Sequence, residues 1–489
     1  MAPEIKQRVK CSNDGDLPRW ICRFDGTDAN LVTLPNITIV DIFMTIAHRS
    51  LIAITLAAAL AGCGKDSEPT VPFPEVPEPL VPAPAEEITV SIGDSLITGT
   101  KESMIITSNT EDDKIGYVES FKGIKFADAK RFEHSKTIEL SDLNDSEGTI
   151  DATEFGFVCP QLKESALNLE QSEDCLNLNI WRPLGSHLDE ELPVYVFIHG
   201  GDFEYGSGSE PLIHGDTVVA QGASEGNPFI YVTFNYRLGL LGSVYVDSTE
   251  GGNFGIGDQK RALEWVNKNI ASFGGNPDNV TLMGQGSGAM SVGILQQTDV
   301  GDDTAINNSH FQRAIMQSPL LGFEYQSYKT AKVTAEKIDI TELGQPEEFQ
   351  NILNIQKDLV SVPSVLVDWL SKSALPTIKE TCGSGLFNPC RIFVDLIPDV
   401  ESDMTPMASF MPFAPYIEDK NNEQNIGQHL NSQPANNNFV VDTVIGVNEK
   451  DANTFTALPS LTYFIAPLLN SDLFNDEELS IEKIKKEIC

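Results

Sequence analysis

Residues 280–292 read VTLMGQGSGAMSV. An apolar strand runs into a glycine-rich turn and then into a helix start, the pattern G-x-S-x-G that presents a serine nucleophile on a sharp bend. Val280 to Gly284 set the frame and Gly288 closes it, so the apex falls on Gly286 and the serine, Ser287, comes one residue late. With Ser287 placed centrally, the flanking positions become Gln285 and Ala289, and the pattern is lost. Glycine adopts positive φ more readily than serine, so the turn is expected to survive without its reacting oxygen. Ser287 is expected at the first helical position, with its side chain aimed away from the apex, where it would cap the helix and offer a backbone N–H. A displaced nucleophile at Ser287 is the alternative.

The elements that must hold such a turn are legible around it. VYVFIHG (194–200) and FIYVTFNY (229–236) are continuous apolar runs, as strands buried on both faces of a parallel sheet require. NVTLM (279–283), FQRAIMQ (311–317) and FVVDTVIGV (439–447) read as further strands. Residues 257–273 place Ala262, Trp265, Val266 and Ile270 on one helical face, and Gly274 with Gly275 stops the helix. Residues 323–372 are predicted largely helical, capping the carboxyl edge of the sheet, where ligands bind in such folds. Strands alternating with helices give an α/β class with a mostly parallel sheet. No linker or internal repeat interrupts the pattern from Ile88 onward.

Several stretches together resemble type-B carboxylesterases: SEDCLNLNIWRP (172–183), FIHGGDFEYGSG (197–208), VTFNYRLGLLG (232–242), GNFGIGDQKRALEWVNKNIASFGGNPDNVTLMG (252–284) and RAIMQSP (313–319). They occur in the order that family shows and span about 88–455. The resemblance implies an α/β-hydrolase fold, a central, mostly parallel sheet flanked by helices, and ester hydrolysis by a Ser-acid-His triad. It also implies roles. Gly286 holds the nucleophile position. Asp451, in VIGVNEKDANTF, aligns with the acid, followed by Ala452 where the family has glycine. Gly201, Asp202 and Ser287 would supply the oxyanion N–H groups. Asp202 replaces a small neutral residue; its carboxylate either faces the hole and repels a developing oxyanion or turns away and leaves only its backbone to matter. We take the second as the expectation. The base should follow the acid, but no histidine follows Asp451, and the last in the chain is His429. His199 takes a structural role, while His214 and His310 read as ordinary polar residues. Arg131 and Glu173 match a family ion pair that would pin the loop ending at Cys175. The loop CPQLKESALNLEQSEDC has no aromatic residue, a departure that argues against choline esters.

Residues 44–62 carry a short basic start at His48 and Arg49, an apolar run from Leu51 to Leu60, and small residues before Cys63. The run is short for a bilayer span and suits a signal-peptide core. Leu60-Ala61-Gly62-Cys63 resembles a bacterial lipobox, which implies lipidation at Cys63. The rival reading is a buried core helix. Residues 1–43 are read as an over-extended gene start and 63–87, rich in proline from Pro69 to Pro84, as a semi-rigid tether. Residues 88–489 form the catalytic-type domain, which is expected to be truncated at its C-terminus. Gly64 after Cys63 suggests the outer membrane by the same resemblance, hence a bacterial, exported, lipid-anchored protein. Two local disulfides are expected in an oxidising compartment, Cys159–Cys175 and Cys382–Cys390. The first would stabilise by about 3 kcal/mol on the loop-entropy model.

The formal net charge of −38 excludes a nucleic-acid binder, since phosphate recognition needs clustered Lys and Arg. The acidity reads as a solvated, self-repelling surface, with recognition of a cationic ligand as the alternative. No metal or cofactor is expected. The expected function is that of a type-B carboxylesterase impaired as an enzyme, acting on or binding a small carboxylic ester or related apolar ligand. The alternatives are a non-catalytic ligand-binding or adhesion module on the same scaffold, and an active enzyme obscured by an error in the gene sequence.

Overall fold

The computed structural model describes residues 9–13, 20–24, 80–92, 95–107, 113–145, 148–186, 190–246, 251–296, 310–338, 349–359, 411–418, 430–436 and 438–448. The signal and tether stretch up to residue 79, Cys63, Cys382, Cys390 and Asp451 lie outside them. The chain divides into two units, Met1–Glu78 and Pro79–Cys489. In the first, β1 (Val9–Asn13) and β2 (Trp20–Phe24) pair antiparallel, with Cys11 opposite Cys22.

Among the described residues, the second unit is built on one ten-stranded sheet. Its strands are β3 (Glu86–Ile92), β4 (Ser95–Ile106), β5 (Lys114–Lys125), β8 (Thr149–Asp151), β9 (Asn177–Pro183), β10 (Leu192–Ile198), β11 (Ile230–Phe234), β12 (Gly275–Gln285), β13 (Arg313–Gln317) and β14 (Asp442–Gly446). A two-residue pair, β6 (Ala127–Asp128) and β7 (Lys136–Thr137), stands apart. The spatial order is β14-β13-β12-β10-β11-β9-β5-β4-β3, with β8 beside β4. The five strands from β14 to β11 are mutually parallel, whereas β9, β5, β4 and β3 join antiparallel. The sheet is therefore mixed. Its parallel half is the one that the apolar runs foretold.

Alternation along the strands sorts the core into two faces. Val118, Trp181, Phe197 and Tyr231 meet Val219 of α1 (Asp216–Ser224) on one side. On the other, Ile180, Val196, Ile198 and Val232 pack with Leu263 and Trp265 of α3 (Phe254–Asn269) and with Ala289 and Met290 of α4 (Ser287–Leu295). Helices thus cover both faces. The short α2 (Gly239–Ser243) follows β11. Helix α3 starts three residues ahead of the expected boundary, because its glycines serve close packing: a β-carbon on Gly255 would lie 2.5 Å from the Arg237 carbonyl. Its end is as expected, with Gly274 at φ 89° after a 3-10 turn. Within 323–372 the described helices are α5 (Tyr328–Ile338) and α6 (Gln350–Leu359). Leu240, Leu241, Ala335 and Ile352 share a cluster, so both helices sit over the chain leaving the carboxyl end of β11.

Candidate functional site

Parallel strands deliver their following loops to one edge of the sheet, so the turns after β10, β11, β12 and β14 converge. β12 ends at Gln285 and α4 begins at Ser287, leaving Gly286 as the apex with φ 59° and ψ −122°. That backbone is one L-residues rarely adopt. Both polar groups of the apex are used: Gly286 N–H donates to the Gln317 carbonyl (3.0 Å), and its own carbonyl accepts Met290 N–H (3.0 Å). A β-carbon placed on Gly286 meets no described atom within 4 Å. The outer glycines of the motif differ. A β-carbon on Gly288 would lie 2.1 Å from the Ile198 carbonyl, and one on Gly284 would lie 2.4 Å from the Gly288 carbonyl. These two allow α4 to press its first turn onto β10 and β12.

Ser287 is the first residue of α4 and is buried. Its Oγ accepts Phe203 N–H at 3.4 Å and lies beside the Tyr236 hydroxyl. No side chain caps this helix, so the capping role expected for Ser287 is replaced by an anchor to the turn after β10. The hydroxyl is directed into the protein.

The turn after β10 runs His199-Gly200-Gly201-Asp202-Phe203-Glu204-Tyr205-Gly206. Gly201 carbonyl accepts the N–H groups of Glu204 (2.9 Å) and Tyr205 (3.1 Å). Gly201, Asp202 and Phe203 all have positive φ, at 114°, 57° and 62°. For the two non-glycine residues this costs about 1–3 kcal/mol each. Among the described residues, the N–H groups of Gly201, Asp202 and Ser287 donate to no protein acceptor. The turn and the apex abut, since a β-carbon on Gly200 would lie 2.6 Å from the Gln285 carbonyl and 3.8 Å from Ser287 N. Among the described residues, Ser287 Oγ, Gly239 N–H donating to the Phe203 carbonyl (2.7 Å), Gln161 and the Tyr236 hydroxyl hold the turn.

His199 is stacked on Tyr236 at 4.4 Å and is buried. Its Nδ1 donates to the Gly200 carbonyl (2.9 Å), since a carbonyl only accepts; its Nε2 has no partner among the described residues. Burial pulls its pKa down to about 4, against a smaller opposing effect of the Gly200 bond. The imidazole is therefore neutral at pH 7 and structural, as expected. Tyr236 donates to the His199 carbonyl at 2.9 Å. His214 lies between Phe155 and Trp181 and bonds the Ser209 carbonyl, and His134 packs on Phe254.

The acids of the turn are the unexpected feature. Burial raises the Asp202 carboxyl above its usual range. Glu204 is pushed up to about 7, by burial first and by the Asp202 charge second. The Asp202 charge is felt by Tyr205 and also by Tyr236 beneath the turn, so its influence extends beyond its backbone N–H. Glu204 escaped the sequence reading although it sits in the same quoted stretch; the signal was a second acid two residues after the first in a glycine-rich loop.

Behind the turn, Arg237 donates Nε to Asp258 Oδ2 (2.8 Å) and Nη2 to Oδ1 (2.8 Å), both residues being buried. The Cys159–Cys175 disulfide is formed, with Cα atoms 5.0 Å apart. Arg131 Nε donates to Glu173 at 3.0 and 3.1 Å, pinning that loop as the resemblance implied. β14 ends at Gly446 on the same edge as Gly286, and Ser318 N–H donates to the Gly446 carbonyl (2.7 Å). Asp451 follows beyond the described residues. Among the described residues no group of three or more His, Cys, Asp or Glu side chains is gathered as metal ligands.

Comparisons with known proteins find relatives of this chain. A profile described as the carboxylesterase family matches residues 97–477. The chain is 43% identical over 180 residues to a para-nitrobenzyl esterase of Bacillus subtilis, covering 35% of this chain and 34% of that protein. It is 31% identical over 357 residues to a bile salt-activated lipase of Mus musculus, covering 70% of this chain and 50% of the lipase. A solved PNB esterase superposes with a TM-score of 0.47 at 26% identity, covering 81% of this chain and 73% of that one. The chain thus spans a third to a half of the length of these two curated relatives.

Proposed function

The chain belongs to the carboxylesterase family, and from that premise we propose that it is a member whose ester hydrolysis is lost or severely impaired. One observation carries this: the apex that would present the nucleophile is Gly286, and the hydroxyl of the adjoining residue, Ser287 Oγ, is buried against Phe203 N–H. Removing the nucleophile of a serine hydrolase costs about 10⁶ in rate, leaving only binding and oxyanion stabilisation. Asp451 takes the acid position in this reading, and Gly201, Asp202 and Ser287 the oxyanion N–H groups, where one donor contributes about 2.7–4 kcal/mol in competent enzymes. The test is hydrolysis of p-nitrophenyl acetate and butyrate by the purified chain. We expect no turnover above a denatured control. Turnover that disappears in Ser287→Ala would refute the reading.

The unpaired N–H groups of Gly201, Asp202 and Ser287 favour a second reading, capture of a small carboxylic ester or acyl ligand without turnover. Saturable binding of p-nitrophenyl butyrate with no release of nitrophenol supports it. The leader at 44–62, Cys63 and the proline-rich tether support a lipid-anchored place at the bacterial envelope, in the outer membrane. Incorporation of a labelled fatty acid that is lost in Cys63→Ala tests this.

A further inference from the structure

We propose that Gln161 is the positioning residue of the His199–Gly206 turn, and that through it the disulfide loop sets where the Gly201 and Asp202 N–H groups point. Gln161 lies two residues after Cys159, inside the loop closed by Cys159–Cys175, and only 3% of it is exposed. Its carboxamide clasps one residue of the turn from both sides. Oε1 accepts Gly206 N–H at 2.9 Å, and Nε2 donates to the Gly206 carbonyl at 3.0 Å. The second Nε2 proton goes to the Cys159 carbonyl at 3.0 Å, and the Gln161 N–H goes to Gln171 Oε1 at 2.9 Å across the loop. A buried amide with these partners is fixed in place and cannot slide.

Gly206 is the point where such a hold has most effect. Its φ is 113°, and a β-carbon there would lie 2.5 Å from His199 Nδ1 and 2.6 Å from the Gly200 carbonyl. The clasp therefore presses the end of the turn against its own beginning. Between them lie Asp202 and Phe203 in left-handed backbone. Such strain persists only where the surroundings over-determine it. Ser287 and Gly239 each contribute one bond to Phe203, whereas Gln161 is the anchor that fixes both polar groups of a turn residue. Without it, Asp202 and Phe203 can relax to ordinary φ, and the N–H groups of Gly201 and Asp202 swing out of register with Ser287 N–H. This concerns the backbone of the turn and is independent of whether the chain hydrolyses esters.

Hydrogen exchange on the full chain tests it. Gln161→Leu keeps the volume and removes all three carboxamide bonds. We expect amides 203–206 to lose at least tenfold in protection, while amides 280–284 of β12 stay within threefold of wild type. Gln161→Glu separates hydrogen bonding from space-filling. Its neutral carboxyl can accept Gly206 N–H and donate to the Gly206 carbonyl, but its carboxylate cannot donate and faces two carbonyls. Protection of 203–206 in this variant should match wild type near pH 4 and fall as the carboxyl ionises. Asp202, Glu204, Tyr205 and His199 on the turn titrate in both proteins, and Lys163 on the loop stands over the Tyr205 ring, so the reading is the variant-to-wild-type ratio at each pH. Reduction of Cys159–Cys175 should loosen the same amides in wild type and add nothing in Gln161→Leu. Unchanged protection of 203–206 in Gln161→Leu, equal loosening of β12, or a pH-independent Gln161→Glu ratio would each overturn the assignment. A turn unmoved by reduction would overturn its link to the disulfide loop.

Discussion

The apex at Gly286 and the turn from His199 to Gly206 lie against each other on one edge of the sheet, yet they are held in different ways. The apex is fixed by backbone alone: Gln317 and Met290 take its two polar groups, and Gly284 and Gly288 provide the close contacts. The turn carries strained residues and depends on side chains, among them Gln161, Ser287 and Tyr236. The residue at the apex can therefore change while the turn keeps its shape. The second region keeps its N–H groups only while its neighbours remain. In this protein chemistry and shape are separable at the apex and coupled at the turn.

The largest effect expected from breaking the contrast is at the motif's rim. Gly288→Ala puts a methyl 2.1 Å from a strand carbonyl, so a loss of ~3 kcal/mol or more in urea unfolding is expected. A loss below about 1 kcal/mol would show that the apex is not held by backbone packing.

Next comes the acid dependence of the turn. The folded pKa of His199, about 4, is below its ordinary 6.5, so the unfolded chain binds the proton more readily. Its contribution to stability is fully present above pH 6.5 and is lost as pH falls towards 4, about 3 kcal/mol in all. Urea midpoints across that window should drop, and His199→Phe should flatten the slope.

A smaller change is expected at the apex itself. A β-carbon at Gly286 meets no described atom within 4 Å, so Gly286→Ser is expected to cost the strain of its φ, about 1–3 kcal/mol. Thermal unfolding should show a modest fall with cooperativity kept.

The smallest effect belongs to Glu204, whose pKa of about 7 is raised by burial and then by Asp202 but which, unlike His199, is only partly buried, so solvent screens its effect on stability. A raised carboxyl stabilises the fold at low pH, and this is lost as pH rises from 4.5 to 7, opposite in sign to His199. A carboxyl NMR titration should show the midpoint, and Asp202→Asn should lower it only partly, since burial dominates.

What could be read from residues alone divides along the same line. Strands β10 and β11 were legible because strands buried on both faces leave continuous apolar runs, β13 and β14 read as strands although most of their residues are partly exposed, and α3 showed in its periodic apolar face. β4 and β5, reading SLITGTKESMII and KIGYVESFKGIK, mix polar and apolar residues in an antiparallel edge region, and no run marks them. The disulfide Cys159–Cys175 was legible from cysteine spacing. Gln161 was not, because a buried glutamine has no pattern of its own and its partners are backbone groups 45 residues away. Asp202 stood out by departing from a known motif. Its coupling to Glu204 and Tyr205 needed the turn to be folded.

The most direct measurement is mass spectrometry of the chain after exposure to a fluorophosphonate probe, which marks activated serines. With Gly286 at the apex and Ser287 Oγ buried beside Tyr236, no covalent adduct is expected. A stoichiometric adduct on Ser287 would contradict the proposed loss of the nucleophile and show that this serine reaches the apex.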